Sequence, residues 1–580
     1  MGDDRLSQPK RHHSVLGWGR RPGSKATAAV NLFRNLLAEE TWTFPAHERP
    51  TMPGSPANPD HPLERRIAYG AIGVLVGLTG GLGNALVSVN LVTLQGALGL
   101  DPGQAAWLPT VYVMTSTSIN LLLIKFRQQF GLRPFALIFV ALYALLTAAH
   151  LLVHGFWSAL AVRATSGMAG AALSSLGLYY MMQALPAKWR LKAVVIGIGI
   201  PQCAIPLARL FSPDLLALSQ WRALYLFELG LALLSLAAVT WLRLPPAERQ
   251  PAFSRLDFVT FSLFAGGVGL AAAVLGQGRI VWWTEAPWIG WALVAAIPML
   301  AAAVVIEHHR VNPLLNTRWL ASADILRFVV VTVMARIVLS EQTYAAVGLL
   351  TTLGQNNDQL QVLYLIVLVA SVAGVIASAV TLNVERLTHP VMLAIGLVAV
   401  AALVDAQSTS LTRAPEMYLT QAVIAFSATF FLGPALLFGM TRALAAGSGN
   451  IITFIAIFGI VNSIGGLGGT AALGSFQTIR EKAHSAAIVQ NIAATDPQVV
   501  QRLAAGGGGV ASVVGDPTLR SAEGGALLSQ VVNREANVLA YDDVFRLIAY
   551  LAALTTAYLA VLLLRRRLRE RRAALKPQTS

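Results

Sequence analysis

The segment from Ser158 to Phe211 reads SALAVRATSGMAGAALSSLGLYYMMQALPAKWRLKAVVIGIGIPQCAIPLARLF. It contains two apolar spans joined by the short basic turn PAKWRLK. The first span carries Arg163, and a charge at membrane depth is costly unless it faces a partner or a wet cavity. The second span contains four residues that interrupt a membrane helix, namely Gly197, Gly199, Pro201 and Pro206. Such bends occur where helices line a cavity, so the segment predicts a charged helix beside a broken one.

The composition of the whole chain is that of an integral membrane protein. The 580 residues are 55% hydrophobic and only 12% charged, whereas soluble domains carry about twice that charged fraction. The net charge of +15 indicates cytoplasmic loops rich in Lys and Arg, and not a nucleic-acid partner. A single cysteine, Cys203, excludes an intrachain disulfide and a cysteine-based metal cluster.

About fourteen apolar spans follow Arg66 and extend to residue 564, at roughly 20 residues per crossing. Every second connecting loop is basic, as in KFRQQFGLR after the second span and PAKWRLK after the fourth. The alternate loops, such as GLDPGQ and HGFW, hold few or no basic residues. The positive-inside rule therefore predicts that both termini are cytoplasmic, and an even number of spans agrees with that.

Three segments lie outside these spans. Residues 1–64 are polar and rich in Pro, which predicts a disordered cytoplasmic tail, and Met52 is an alternative start of the chain. Residues 477–543 form a long outer loop with a helical pattern on either side of Gly506–Gly509, which predicts a structured cap or docking surface. Residues 566–580 form a basic cytoplasmic tail.

No enzyme constellation is present in the sequence. It has no P-loop, so the sequence gives no sign of an ATP-binding site in this chain. His12-His13 and His308-His309 lie in basic segments without metal-ligand spacing. We therefore predict no catalytic residue, no metal site and no cofactor.

Several stretches resemble the fourteen-span drug:proton antiporters of the major facilitator superfamily, and in particular EmrB-, FarB- and QacA-like proteins. RATSGMAGAA from Arg163 resembles the fourth-span motif of that family, and Gly197 to Pro206 resembles the antiporter motif of the fifth span. REANVLAYDDVFRLIAYL (Arg534–Leu551) resembles the segment that leads into the last span.

The resemblance implies an all-α integral membrane protein with the major facilitator fold. Two six-helix bundles, residues 65–245 and 321–565, would surround a central cavity, with two linking helices in residues 246–320. It also implies efflux of amphipathic or aromatic small molecules across the cell inner membrane in exchange for protons. A periplasmic adaptor protein and an outer-membrane channel would be the partners, besides the lipid bilayer.

The sequence departs from this family at positions that bear on proton coupling. Gly83 stands where the first span of the family has an aspartate, and Gln128 replaces the acid of the following basic loop. The fifth-span motif keeps only Pro206 at its end, and Glu228 stands where the sixth span usually has asparagine. Another acid must therefore carry the proton, or coupling is lost.

Four charged residues at membrane depth are candidates for proton coupling or gating, namely Arg163, Glu341, Glu228 and Arg336. We expect Glu341 to be the first substitute for the missing acid and Glu228 the second, since Glu228 and Arg209 lie where snorkelling to the outer surface is open to them. A structural ion pair is the alternative for Glu341. Arg336 and Glu341 are five residues apart, so each should have its partner on another helix.

Polar residues in the spans are the candidates for the substrate cavity. We predict that it is lined by Asn84, Ser88, Asn90, Thr117, Tyr180, Gln183, Gln342 and Tyr344. Helix–helix packing is the alternative for such residues.

Two other functions remain open from the sequence. One is a facilitator or a differently coupled carrier, which the loss of the first-span acid favours. The other is a membrane scaffold or sensor on a degenerate carrier fold that transports nothing. Three intramembrane arginines favour an anionic or weak-acid substrate over a cation.

Overall fold

The computed structural model describes residue 45 and residues 48–50, 54–311, 313–447, 449–493 and 495–574. This part of the chain is all-helical, and its one β-bridge pairs Pro56 with Ala247. The prediction of an all-α membrane fold is thereby confirmed. Most of the predicted N-terminal tail, Met52 and the last six residues lie outside the described residues.

The helices are numbered here in chain order. They are α1 (Leu63–Val89), α2 (Leu91–Leu98), α3 (Pro102–Phe130), α4 (Leu132–His150), α5 (Phe156–Ala184), α6 (Arg190–Gly199), α7 (Ala204–Trp241), α8 (Arg255–Gln277), α9 (Pro287–His309), α10 (Thr317–Leu320), α11 (Ala323–Val338), α12 (Val347–Thr352), α13 (Gln361–Val380), α14 (Thr388–Asp405), α15 (Tyr418–Ala445), α16 (Asn450–Gln490), α17 (Pro497–Gly509) and α18 (Pro517–Ala574).

Twelve helical segments in the described residues are long and apolar enough to cross a membrane, against about fourteen spans predicted. The fourth and ninth predicted spans are the two that are not among them. The fourth, α5, is 29 residues long but is rich in Gly, Ala and Ser and carries Arg163. The ninth is split into α11 and α12 by a π-helical turn, Glu341–Ala346. Both predicted spans are therefore helical, but they differ from the others in apolarity or continuity.

Close packing against α1 explains why α5 is built from small residues. A Cβ atom at Gly177 of α5 would lie 2.7 Å from the Cα atom of Gly77, and one at Gly73 would lie 2.9 Å from the backbone nitrogen of Met181. Only glycine allows two membrane helices to approach so closely. The helix that carries Arg163 is thus held in the interior of the N-terminal half.

The predicted bend in the fifth span is present. Helix α6 ends at Gly199, a 3₁₀ turn occupies Ile200–Cys203, and α7 begins at Ala204. Helix α7 contains both the end of the fifth span and the whole of the sixth, and Gln220 with φ 53° marks the division between them. A left-handed residue of this kind breaks the direction of a helix.

Ion pairs attach the linking helices α8 and α9 to one end of the N-terminal half. Asp257, at the start of α8, pairs with Lys125 of α3, and Arg310 donates to it at 2.9 Å. Arg310 also donates to Glu307 at 2.7 Å. We call this end of the molecule, defined by Lys125, Arg190 and Arg310, the basic face.

The opposite face carries a helical extension formed by the end of α16, by α17 and by the start of α18. At about 1.5 Å per residue, the 41 residues of α16 measure about 60 Å, twice the hydrocarbon thickness. Asp543 of α18 accepts hydrogen bonds from Arg480 at 2.6 Å and from His484 at 2.7 Å.

Gly506–Gly509, predicted as a break between helices, instead form the last turn of α17. Gly507 and Gly524 allow α17 and α18 to touch.

Residues 54–62 form a segment that is docked on the basic face, although the sequence predicts a disordered tail there. The backbone nitrogen of Ala57 donates to Pro246 at 3.0 Å, and the side chain of Gln183 donates to Ala57 at 3.0 Å. Arg190 donates to Asn58 at 3.2 Å. We call this segment the N-terminal strap. Its backbone polar groups find partners that an isolated polar sequence does not reveal.

The strap should be released by acid because of His61. Gln183 uses its amide nitrogen on Ala57, so its oxygen accepts from His61 Nε2 at 2.9 Å. Burial, and to a smaller extent the positive charge of Arg65, lower the pKa of His61 below 6.5 in the docked state. The stabilisation of docking by neutral His61 is therefore fully present above about pH 6.5 and is lost as the pH falls through the lowered pKa. The hydrogen-exchange rate of residues 54–62, corrected for the intrinsic effect of pH, should be higher at pH 5 than at pH 7.5.

A His61→Gln variant is the control for this prediction because it can donate a hydrogen bond but does not titrate. Its exchange rate, corrected for the intrinsic effect of pH, should not depend on pH in this range. Equal pH dependence in both proteins would show that His61 is not the acid-sensitive group.

Candidate functional site

Arg163 is held in the interior of the N-terminal half by three acceptors. Its guanidinium donates to the Gly83 carbonyl oxygen and to Asn84 Oδ1, both at 2.7 Å, and to the Leu108 carbonyl oxygen at 3.3 Å. It also lies 4.5 Å from the ring centre of Tyr112. The side chain is 1% exposed. Arg163 thus links α5 to α1 and α3, and its charge is placed beside the backbone of Gly83.

Glu228 of α7 is buried in the same region and does not snorkel to the surface as the sequence suggested. Its Oε1 atom lies 2.6 Å from the Tyr143 hydroxyl oxygen and 3.5 Å from the Thr147 hydroxyl oxygen, both on α4. Its Oε2 atom is buried and has no hydrogen-bond partner. Within the described part of the chain, Glu228 makes no ion pair. A buried carboxyl group without a cation in contact is costly to keep charged.

The carboxyl group of Glu228 lies against the position where the sequence lacks its expected acid. A Cβ atom built on Gly83 would be 3.1 Å from Glu228 Oε1 and 2.1 Å from the Tyr143 hydroxyl oxygen. The same glycine carbonyl accepts the hydrogen bond from Arg163. Glu228, and not Glu341, is therefore the acid that lies beside Gly83 and near Arg163.

Glu341 lies in the C-terminal half, in a second buried group of acids. The amide nitrogen of Gln421 on α15 is 3.1 Å and 3.3 Å from the two oxygens of Glu341 and 3.0 Å from Asp405 Oδ2. The exposed fractions of all three side chains are small, from 0% to 4%. Asp405, the last residue of α14, is thus buried inside the protein. Two carboxyl groups bound to one amide repel each other unless a proton neutralises one of them.

The π-helical turn explains how Glu341 and Gln342 both reach α15. A π turn adds one residue to the helical ladder and re-aims the side chains around it. Gln342 donates to the Gln421 carbonyl oxygen at 3.0 Å. The sequence analysis did not single out Gln421, although a glutamine inside the apolar span YLTQAVIAF was the signal that could have pointed to it.

The two other arginines at membrane depth have different environments. Arg209 donates to Asn357 Oδ1, in the loop between α12 and α13, at 2.9 Å and lies 4.9 Å from the ring centre of Tyr364. These contacts join α7 to the C-terminal half. Arg336 packs against Gly465 of α16, and its Nε atom is buried without a hydrogen-bond partner. Arg336 is therefore a cation with free donor capacity.

The predicted cavity residues separate into two groups. Asn84 and Ser88 share one side of α1, where Ser88 is exposed and Asn84 is partly exposed. Gln342 and Tyr344 are partly exposed in the π turn, and Thr117 is buried with an unpartnered hydroxyl group. The structure places Asn90 and Tyr180 in packed contacts, and it places Gln183 under the N-terminal strap, where this side chain lines a cavity. Asn90 donates to Ser212 at 2.7 Å, Tyr180 donates to the Leu242 carbonyl oxygen at 2.7 Å, and Gln183 binds the N-terminal strap.

Glycines of the fifth-span motif form part of the contact between the two halves. A Cβ atom at Gly199 would lie 2.5 Å from the side chain of Val375 on α13. One at Gly433 of α15 would lie 2.5 Å from Val195 on α6. The bend therefore lets α6 and the start of α7 pack directly on the C-terminal half.

Among the described residues, no group of three or more His, Cys, Asp or Glu side chains could hold a metal ion. A cavity of about 190 Å³ is lined by His61, Gln183 and Arg190 under the N-terminal strap. It lies at the basic face and does not include Glu228 or Glu341.

Solved structures with a similar fold are membrane transporters. A structure that describes substrate recognition in proton dependent oligopeptide transporters is 14% identical, with 87% of this chain and 100% of that chain covered and a TM-score of 0.54. A tetrameric PepTSo2 is 12% identical, with 87% and 99% covered and a TM-score of 0.52. The human organic anion transporter MFSD10 (TETRAN) is 15% identical, with 85% and 100% covered and a TM-score of 0.47.

No curated protein matches the sequence significantly. The sequence profile of the Major Facilitator Superfamily matches residues 73–472. That range includes Arg163, Glu228, Glu341 and Asp405, and it covers more than half of the chain. The buried charges thus lie within the part of the chain that defines the superfamily. The chain belongs to the Major Facilitator Superfamily and is a multi-pass membrane transporter, not an enzyme.

Proposed function

We propose that the protein exports amphipathic or aromatic small molecules across the cell inner membrane in exchange for protons. The observation that carries the proposal is the carboxyl group of Glu228, which is buried beside Gly83 without an ion pair. A carboxyl group in a low-dielectric interior is neutral when it holds a proton and costly when it does not. Loading and release of that proton can therefore be tied to a change in exposure of the group.

Arg163 supplies the counter-charge for this cycle. It is bound to the carbonyl oxygen of Gly83, next to which Glu228 lies. When the carboxyl group loses its proton, attraction to the guanidinium group favours a closer approach of α7 to α5. When the proton returns, that attraction vanishes. The two protonation states of Glu228 thus favour different packings of the same helices, which is the requirement for coupling.

A second proton is held in the C-terminal half. Glu341 and Asp405 share the amide group of Gln421, and no described cation contacts either acid. One proton between the two carboxyl groups removes most of their repulsion. Each half of the protein therefore contains one acid group that can load and release a proton.

The substrate is an anionic or weak-acid amphiphile. Arg163 and Arg209 have their own acceptors, whereas Arg336 has a buried donor atom without a partner. A carboxylate or sulfonate group on an aromatic or aliphatic body would satisfy that donor. The exposed side of α1 that carries Asn84 and Ser88 offers additional polar contacts.

The helical extension on the opposite face is the surface for a periplasmic adaptor. By the positive-inside rule the basic face is cytoplasmic, so the extension projects to the periplasmic side. Helices α17 and α18 are tied together there through Gly507 and Gly524. Such a rigid helical protrusion suits a partner that leads the substrate to an outer-membrane channel.

Collapse of the pH gradient tests the proposed function. The purified protein is placed in proteoliposomes, and a pH gradient is imposed across their membrane. The protein should then move a dansyl-labelled fatty acid against the concentration gradient of that fatty acid. Addition of nigericin, which removes the pH gradient, should stop net movement against the substrate gradient. Movement that only follows the substrate gradient, at the same rate with and without nigericin, would identify an uncoupled facilitator. If neither that probe nor ethidium moved, a membrane scaffold that transports nothing would be the better description.

A further inference from the structure

We propose that His150 and Thr147 form the path by which protons reach Glu228 from the face opposite the basic face. This inference rests on the proposed function, because it needs Glu228 to carry a proton. The inference specifies the side of the membrane from which the proton comes and the side chains that transfer it. Neither residue stands out in the sequence as a site.

Helix α4 places three polar side chains in a row along α7. Tyr143, Thr147 and His150 are four and three residues apart, so they share one face of the helix. Thr147 lies 3.5 Å from Glu228 Oε1, and the His150 ring stacks on Tyr225 with ring centres 4.5 Å apart. Tyr225 precedes Glu228 by nearly one helical turn. The row therefore runs from Glu228 to His150, the last residue of α4, at the end of that helix away from the basic face.

Two atoms along this row are buried without a partner. The Leu146 carbonyl oxygen lies 2.9 Å from His150 Nδ1, and a carbonyl oxygen can only accept, so Nδ1 carries the hydrogen in the neutral ring. His150 Nε2 is then a free acceptor, and it has no hydrogen-bond partner. Glu228 Oε2 is also buried without a hydrogen-bond partner. Each of these two side chains is 2% exposed. Unsatisfied buried polar atoms are rare. His150 Nε2 and Glu228 Oε2 can each accept a proton, or a hydrogen bond from a transient water.

The proton balance of this path is simple. One proton from the water at the opposite face binds His150 Nε2 and converts the ring to imidazolium. The imidazolium then gives a proton from Nε2 to the Thr147 hydroxyl oxygen through a transient water. The Thr147 hydroxyl, which donates to the Tyr143 carbonyl oxygen at 2.9 Å in this structure, turns and donates its own proton to the Glu228 carboxylate. The ring returns to its neutral form with the hydrogen on Nδ1, and the carboxyl group is neutral. No other reactant is required.

The groups around the path favour a short-lived imidazolium. Arg163 of α5 is the one cation that faces this region from the described helices, and it repels a second positive charge. Tyr112 of α3, Tyr143 of α4 and Tyr225 of α7 face the same region, and phenol side chains carry no charge near pH 7. Transfer of the proton to Glu228 is favourable because it neutralises a buried imidazolium and a buried carboxylate together. His150 is therefore a relay group and not a storage site.

Proton uptake by proteoliposomes with trapped pyranine tests the path. With the opposite face outside, an acid jump in the presence of internal dansyl-labelled fatty acid should acidify the lumen. In His150→Phe, which keeps the ring stack but cannot carry a proton, the rate of acidification should fall at least about tenfold, a change of about 1.4 kcal/mol in barrier. Thr147→Val should slow it as well. His154→Phe, in the exposed turn after α4, is the matched control and should acidify at the wild-type rate.

The outcomes separate the two proposals. Failure of the wild-type protein to take up protons would end the proposed function itself. Rapid uptake by wild type and by His150→Phe, with none by Glu228→Gln, would leave the proposed function intact and overturn the path. The melting temperature of His150→Phe in detergent, together with its exchange of labelled for unlabelled substrate without a gradient, shows whether the variant is folded. If His150→Phe is not folded, the rate of proton uptake by Thr147→Val provides a second test of the path.

Discussion

Replacement of Glu228 with glutamine should abolish proton-coupled movement of the dansyl-labelled fatty acid while the protein remains folded. Glutamine has nearly the shape of glutamate and can still accept the hydrogen bond from the Tyr143 hydroxyl group. It cannot load or release a proton. Uphill transport and the accompanying proton flux should therefore both fall by more than about tenfold, a loss of over 1.4 kcal/mol. The measurement is parallel recording of substrate fluorescence and trapped pyranine in proteoliposomes.

The matched control is Glu285→Gln, because Glu285 is exposed in the turn between α8 and α9. This variant also removes one negative charge, and it should transport at the wild-type rate. The melting temperature of Glu228→Gln should not fall, since the substitution relieves the cost of a buried carboxyl group. Full uphill transport by Glu228→Gln would show that Glu341 and Asp405 carry coupling alone.

Alanine at position 83 should strongly destabilise the protein. The new Cβ atom would lie 2.1 Å from the Tyr143 hydroxyl oxygen and 3.1 Å from Glu228 Oε1, and both side chains are fully packed. Overpacking of this kind costs typically about 1–3 kcal/mol. Aspartate at position 83 should be at least as costly, so the expected first-span acid cannot simply be restored. Thermal unfolding in detergent is the measurement.

A Tyr143→Phe background should relieve much of this clash. Removal of the hydroxyl oxygen leaves the ring carbon Cζ, 3.2 Å from the new Cβ atom, as the nearest contact on residue 143. The cost of Gly83→Ala should therefore be smaller in Tyr143→Phe than in wild type, a coupling between neighbouring sites. Gly230→Ala is the control for helix propensity, since nothing lies within 4 Å of its new Cβ atom. An equal loss of stability in both backgrounds would exclude the hydroxyl group as the cause.

Composition and local pattern were sufficient to predict the class of fold. Long apolar spans cannot be covered in water, and the spacing of Gly197, Gly199 and Pro201 predicted the bend that separates α6 from α7. The sequence also indicated that Arg163 needs a partner or a wet cavity, because a charge in an apolar span is costly to leave alone. These are properties of one helix and its solvent, and they require no knowledge of its neighbours.

The acid that accompanies Arg163 was decided only by the tertiary structure. Glu228 and Gly83 are 145 positions apart in the chain, and their contact depends on how α1 and α7 are rotated about their axes. A change of one residue in register turns a side chain by about 100°, which no apolar pattern specifies when a span is buried on most sides. For the same reason, the sequence did not reveal that Glu341, Gln421 and Asp405 meet. It also did not reveal that the N-terminal strap docks on the basic face. The sequence alone determined that buried charges are present in this transporter, and the packing of its helices determined which of them meet.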